Sequence, residues 1–159
     1  MVDEETRLGI LTSWPKVAPD METLVGLFYM RLFEQRPDLR RMFPRDLANQ
    51  KHKLAGLLCS VVGDILRRDG VVVGDSITTM NPGAGNLLGD MMHLGQHHHS
   101  AFDWSDDSFG CALEALRWAM DEWSGSRLVA HEKTAWASLL TLLVDCMRLG
   151  AMVGNRRVA

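Results

Sequence analysis

The chain has 159 residues, 47% of them hydrophobic and 23% charged, with 17 Lys and Arg against 20 Asp and Glu. That length allows one domain able to bury roughly 70% of its unfolded surface. The small negative net charge offers no positive field for nucleic acid or an anionic membrane surface, and no uninterrupted apolar run approaches the ~18 residues that a bilayer span requires.

The first residues, Met1-Val2-Asp3-Glu4-Glu5, are acidic where a secretory leader would be basic and then apolar. Cys59, Cys111 and Cys146 are odd in number, far apart and set in apolar helical surroundings without zinc-ligand spacing, so they are expected to be reduced core thiols. A cytoplasmic protein is the corresponding expectation.

Only Val71-Val72-Val73 reads as a strand, and no repeat or shift in composition divides the chain. The expectation is a single all-α domain over 1–159 with about six helices. Asp3 is placed to cap the first helix, with Leu8, Leu11 and Trp14 as its apolar side, and Pro15 should kink or end it. Pro19-Asp20 opens the second helix, whose apolar face is Leu24, Val25, Phe28, Leu32 and Phe33. Tyr29, the only tyrosine, sits at the edge of that face, where such a residue packs its ring and seeks an acceptor for its hydroxyl. Pro37 breaks the helix, and a short turn leads to Met42-Phe43-Pro44.

A third long helix runs from about Asp46 to Arg68, with Leu47, Gln50, Leu54, Leu57 or Leu58, Val61 and Ile65 facing inward and His52 facing solvent. Gln50 is the one polar residue on that stripe. It either caps something local or points into a cavity that tolerates polarity. Asp69-Gly70 ends this helix, and residues 70–86 form a long connection without firm periodicity.

The next helix carries Leu87, Met91, Leu94 and His98 at offsets of four, seven and eleven, one side of a helical cylinder. An imidazole at the end of an apolar stripe needs a partner for a ring nitrogen, and a metal is one candidate. From this stretch alone the simpler reading is a surface cluster of His93, His97, His98 and His99 with one member tucked under. A fifth helix starts near Ser105-Asp106-Asp107, presents Phe109, Leu113, Leu116, Met120 and Trp123, and stops at Gly125. The last runs from about Arg127 to Gly150 with Val129, Trp136, Leu139 or Leu140, Leu143 and Met147 inward, and Asn155-Arg156-Arg157 is expected to fray.

Several landmarks, in order and at their spacings, resemble a globin over most of the chain: Ser13-Trp14 and Val17, Phe28-Tyr29, Leu32-Phe33, Pro37, Phe43, Gln50 with Leu54, Leu94-Gly95-Gln96-His97-His98, Glu114-Ala115-Leu116 and Ala135-Trp136. The likeness is to bacterial single-domain globins and the haem domain of flavohaemoglobins. It implies a 3-over-3 helical sandwich with an extended loop before the proximal helix, holding haem b (protoporphyrin IX iron).

By that resemblance His98 is the proximal iron ligand, Phe43 wedges against the porphyrin, Leu94 flanks it, and Tyr29, Gln50 and Leu54 form the distal pocket. Among the histidines, only His98 both continues the Leu87-Met91-Leu94 stripe and fits the Leu-Gly-x-x-His spacing. A phenol and an amide can each donate to a partly negative diatomic ligand, contributing about 1–3 kcal/mol where water is excluded. The implied ligands are O2, NO and CO.

The tyrosine and glutamate that support the proximal histidine in flavohaemoglobins are missing here. Phe109 or Ser108 and Ala151 fall near those positions, which argues against strong peroxidase chemistry. The implied function is oxygen binding, transport or storage, or NO detoxification with a separate flavin reductase; as an alternative, the chain is a gas- or redox-sensing globin acting through a partner protein. No catalytic residue, nucleic acid or membrane partner is implied.

Overall fold

The computed structural model describes residues 2–67 and 87–155. The expected 70–86 connection, the Asp69-Gly70 stop, the Val71–Val73 strand candidate and the tail after Asn155 lie outside them. Among the described residues there are seven α-helices and no strand: α1 (Glu4–Val17), α2 (Met21–Gln35), α3 (Pro37–Arg40), α4 (Ala48–Arg67), α5 (Leu87–Phe102), α6 (Asp106–Ser124) and α7 (Ala130–Asn155). A 3-10 turn, Ala18–Asp20, joins α1 to α2. The helix beyond the expected six is α3, a single turn opened by Pro37 at a position where a missing N–H costs nothing.

The ends follow local chemistry. Asp3 accepts the Thr6 amide at 2.7 Å and Glu4 and Glu5 fill the first turn of α1, where carboxylates oppose the helix dipole. Pro15 lies inside α1, which ends two residues later at Val17. Ser105 accepts the Ser108 amide at the start of α6, and Gly125 ends that helix with φ +43, a value that side-chain-bearing residues avoid. At the start of α7 the Glu132 carboxylate accepts the Val129 amide at 3.0 Å and the Lys16 ammonium at 2.8 Å. Burial opposes ionisation of Glu132, but those two partners outweigh it and hold the carboxyl below its usual range.

Helices α1, α4 and α5 form one layer and α2, α6 and α7 the other. α5 and α1 pack on α7, α4 packs on α2, and α6 lies between α2 and α7. The core is lined by Ile10, Val17, Leu24, Val25, Leu32, Val62, Leu66, Phe109, Trp136, Leu139 and Leu140. By length and composition α7 could cross a bilayer, yet here its Trp136, Leu139, Leu140, Leu143 and Val144 are buried in this core.

Two expected faces are rotated. In α1, Leu8 is 46% exposed, and the buried set is Thr6, Gly9, Ile10, Ser13, Trp14 and Val17. Small residues decide this. Gly9 lies directly on Ala135, and the Ser13 hydroxyl accepts the buried Trp136 indole N–H at 2.9 Å. At the head of α7, Val129 is exposed and Leu128 takes the buried place, because α7 begins at Ala130 rather than Arg127.

Among the described glycines, the tightest backbone contacts lie between α5 and α7. A Cβ on Gly95 would run into the Met147 backbone, and a Cβ on Gly150 would run into that of Met92. We expect Gly150→Ala to cost about 1–3 kcal/mol in a urea titration, the usual penalty of overpacking. Gly56 in α4, with nothing near its Cβ position, should instead gain about 0.5–1 kcal/mol as Gly56→Ala.

Candidate functional site

Tyr29 projects from α2 and is 7% exposed. Its ring is enclosed by Phe28, Phe33 and Phe43, with centroids 4.9, 5.7 and 5.6 Å away. Phe43 reaches it from the segment after α3, which is fastened by Arg40. That guanidinium donates to the carbonyls of Phe43, Pro44 and Arg45 at 3.2, 2.9 and 3.0 Å and lies over the Phe33 ring.

The Tyr29 hydroxyl has no hydrogen-bond partner among the described residues, and burial pushes its pKa up to about 12. It is therefore a neutral donor at physiological pH. Gln50 and Leu54 stand one turn apart on α4, both half-buried. The Gln50 amide likewise has no partner within the described chain, so the local capping explanation for it does not hold.

His98 lies on α5, half-buried, with its Nδ1 2.8 Å from the Leu94 carbonyl oxygen. A carbonyl only accepts, so Nδ1 carries the proton and Nε2 keeps its lone pair. Burial lowers the pKa of His98, with His97 adding to the effect and the Leu94 bond opposing it, so the neutral ring is favoured. Stability contributed by that neutral ring is present above pH 6.5 and is lost as pH falls below it.

Trp104 meets the imidazole edge-on at 4.9 Å. The corner that brings it there turns at Asp103, φ +52, after which the Trp104 amide donates back to the His98 carbonyl and the Trp104 carbonyl accepts the His99 Nδ1–H at 2.9 Å. His93 and His97 are exposed. His52 is 72% exposed and pairs with Glu22.

The structure thus gathers Tyr29 with Phe43, Gln50 with Leu54, and Leu94 with His98. The last two pairs stand on α4 and α5, which pack on other helices and make no extended contact with each other. Phe109 and Ala151 are buried, and the Ser108 hydroxyl is 3.2 Å from that of Ser105. The only group bonded to His98 Nδ1 is the carbonyl of Leu94. Sequence reasoning missed Arg40 and Trp104. Arg40 had no signal, whereas Trp104, an aromatic residue just past a histidine-bearing helix, had a faint one.

Among solved structures, the chain is similar to the flavohaemoglobin of Malassezia yamatoensis, crystallised with bound FAD and haem. The TM-score is 0.65 at 16% identity, over 95% of this chain and 37% of that one. The fold is a globin fold. The chain spans little more than a third of that longer protein. No protein-family model matches the sequence, and no curated protein matches it.

Tyr29 being the only tyrosine, its ionisation can be read directly from phenolate absorbance near 295 nm. The native protein should show no rise between pH 9 and 11, where a free phenol with pKa 10.0 would titrate. The neutral buried phenol stabilises the fold below pH 10, and that contribution disappears as pH climbs towards 12. A native-state midpoint at 10 would place the hydroxyl in water.

Proposed function

We propose that this globin binds haem b between α4 and α5, with His98 Nε2 as the one protein ligand to iron, and that it binds a diatomic gas reversibly. The observation that carries this reading is the state of His98: a neutral, half-buried ring whose Nδ1–H is spent on Leu94 and whose Nε2 is left as a donor atom. The Tyr29 hydroxyl supports it from the other side, since it has no partner among the described residues and is protonated, free to donate to a ligand.

Haem, held by His98, would supply an iron able to coordinate O2, NO or CO. The chain's own residues define what happens around it. Leu54, Phe43 and Leu94 offer apolar walls that keep water out and match the porphyrin faces. Tyr29 and Gln50 supply two hydrogen-bond donors to a ligand bearing partial negative charge, with the phenol fully protonated at neutral pH. The Leu94 bond fixes the tautomer of His98, and Trp104 fixes its ring plane. A carbonyl draws the Nδ1 proton less than a carboxylate would, so the imidazole is a moderate electron donor. That favours reversible binding over cleavage of an O–O bond.

The corresponding role is binding, transport or storage of oxygen in the cytoplasm. Removal of NO would be an extension that depends on a separate flavin reductase.

Absorption spectra of the purified protein, oxidised, reduced and with CO, test the reading. A Soret band should be present, lost in His98→Ala and retained in His97→Ala and His99→Ala. A colourless protein that hemin does not convert would refute it. With haem bound, Tyr29→Phe should speed O2 dissociation about tenfold or more by stopped flow, the effect of one lost donor. Gln50→Leu should do so less, because the phenol remains; equal off-rates in all three proteins would remove both donors from the pocket.

A further inference from the structure

Charge is not evenly matched across the molecule. Arg7, Lys16, Arg31, Arg36 and Arg148 each meet a carboxylate, and Arg117, Arg127 and Lys133 are held by neutral acceptors. Arg41, Arg45, Lys51 and Lys53 have neither among the described residues. All four fall in one stretch, from the end of α3 into the first turns of α4; Arg41, Arg45 and Lys53 are exposed and Lys51 is half-buried. Arg40, in the same stretch, has its guanidinium on the backbone carbonyls of Phe43, Pro44 and Arg45 and so adds its charge uncompensated. The one carboxylate between them, Asp46, accepts the Ala48 amide, and Glu22, which reaches α4 from α2, is paired with His52. We propose that this basic surface docks the acidic face of a separate flavin reductase.

The sign of the charge fixes the kind of partner. The chain as a whole carries −3, so an acidic protein is repelled over most of the surface and drawn to this stretch. That orients the encounter as well as speeding it. An anionic bilayer would present its negative plane to the acidic remainder of the molecule too, so a protein face that touches only the patch is the better match.

The position fixes the role. The stretch includes Phe43 and Gln50, so a partner seated on it lies beside the pocket assigned above. That much rests on the proposed function, in which removal of NO depends on a separate flavin reductase. Met42, 48% exposed, and the exposed Pro44 set apolar contact among the cations, the arrangement of an interface with a desolvated centre and a charged rim. Few apolar groups and many exposed charges make a small, short-lived complex, as electron-transfer encounters are.

The test is binding of purified flavodoxin, a small acidic flavoprotein, to the protein as isolated, read by NMR shift changes and by calorimetry at rising NaCl. Shifts should gather on residues 40–53, and affinity should fall about tenfold or more between low and physiological salt, as for an interface held by exposed charges. Arg41→Glu combined with Arg45→Glu should weaken binding about tenfold or more, while Arg117→Glu on α6 should stay within about twofold of the parent. Met42→Ala should weaken binding without altering its salt dependence. No binding, shifts confined to other residues, or equal loss in Arg117→Glu overturns the proposal. So does capture by vesicles of equal parts phosphatidylcholine and phosphatidylserine in place of flavodoxin, which would make the patch a lipid-facing surface. Docking is read without electron transfer: a protein with a Soret band that ignores flavodoxin fails this inference alone, and a colourless one that binds flavodoxin through residues 40–53 fails the haem reading alone.

Discussion

The backbone crossing of α5 on α7 governs the arrangement of everything around it. Gly95 rests on Met147 and Gly150 on Met92, a reciprocal contact with no space for a single methyl on either side. Close approach of two backbones gains dispersion contacts along both helices and removes freedom to slide or rotate. The rotation of α5 is thereby set, and with it the direction of His98, which stands three residues after Gly95. Leu94-Gly95-x-x-His98 can then be understood as one unit in which residue 94 offers a carbonyl, residue 95 the contact and residue 98 the imidazole.

Several polar atoms covered by packing are paired, while Arg31 Nε, Gln35 Oε1 and Arg148 Nε are buried without a hydrogen-bond partner. His98 Nδ1, His99 Nδ1, the Trp136 indole and the Glu132 carboxylate each have a named partner, as interior polar groups require. The Tyr29 hydroxyl and the Gln50 amide differ from those four groups in having no partner among the described residues. Tyr29 is held in place by its aromatic neighbours rather than by a hydrogen bond. Arg40, by gathering three carbonyls, keeps Phe43 against Tyr29 and so fixes the phenol without touching it.

Trp104 belongs to two neighbourhoods at once. One of its edges meets His98, and the indole also packs against Phe109. The corner at Asp103 that places it involves the backbone amide of Trp104, the His98 carbonyl and the His99 ring in consecutive hydrogen bonds. Displacement of the indole would be felt at both histidines.

Much of the architecture was legible in the residues themselves. Periodic apolar positions in α2, α4, α5 and α6, with Asp3, Ser105 and Gly125 at their ends, report an all-helical chain because caps and amphipathic faces act over a few residues. Order and spacing from Trp14 to Trp136 pointed to the fold, and Leu94-Gly95-x-x-His98 to the histidine of interest. Other features depended on contacts between residues distant in sequence. Burial of Ile10 in place of Leu8 follows from Gly9 and Ser13 meeting α7 more than 120 positions away. The enclosure of Tyr29 by Phe43 likewise exists only once the segment after α3 folds back on α2, whereas the tautomer of His98 is set inside α5 by the Leu94 carbonyl one turn away. Local periodicity determines which side of a helix is greasy, and only close packing decides which part of that side comes to lie innermost.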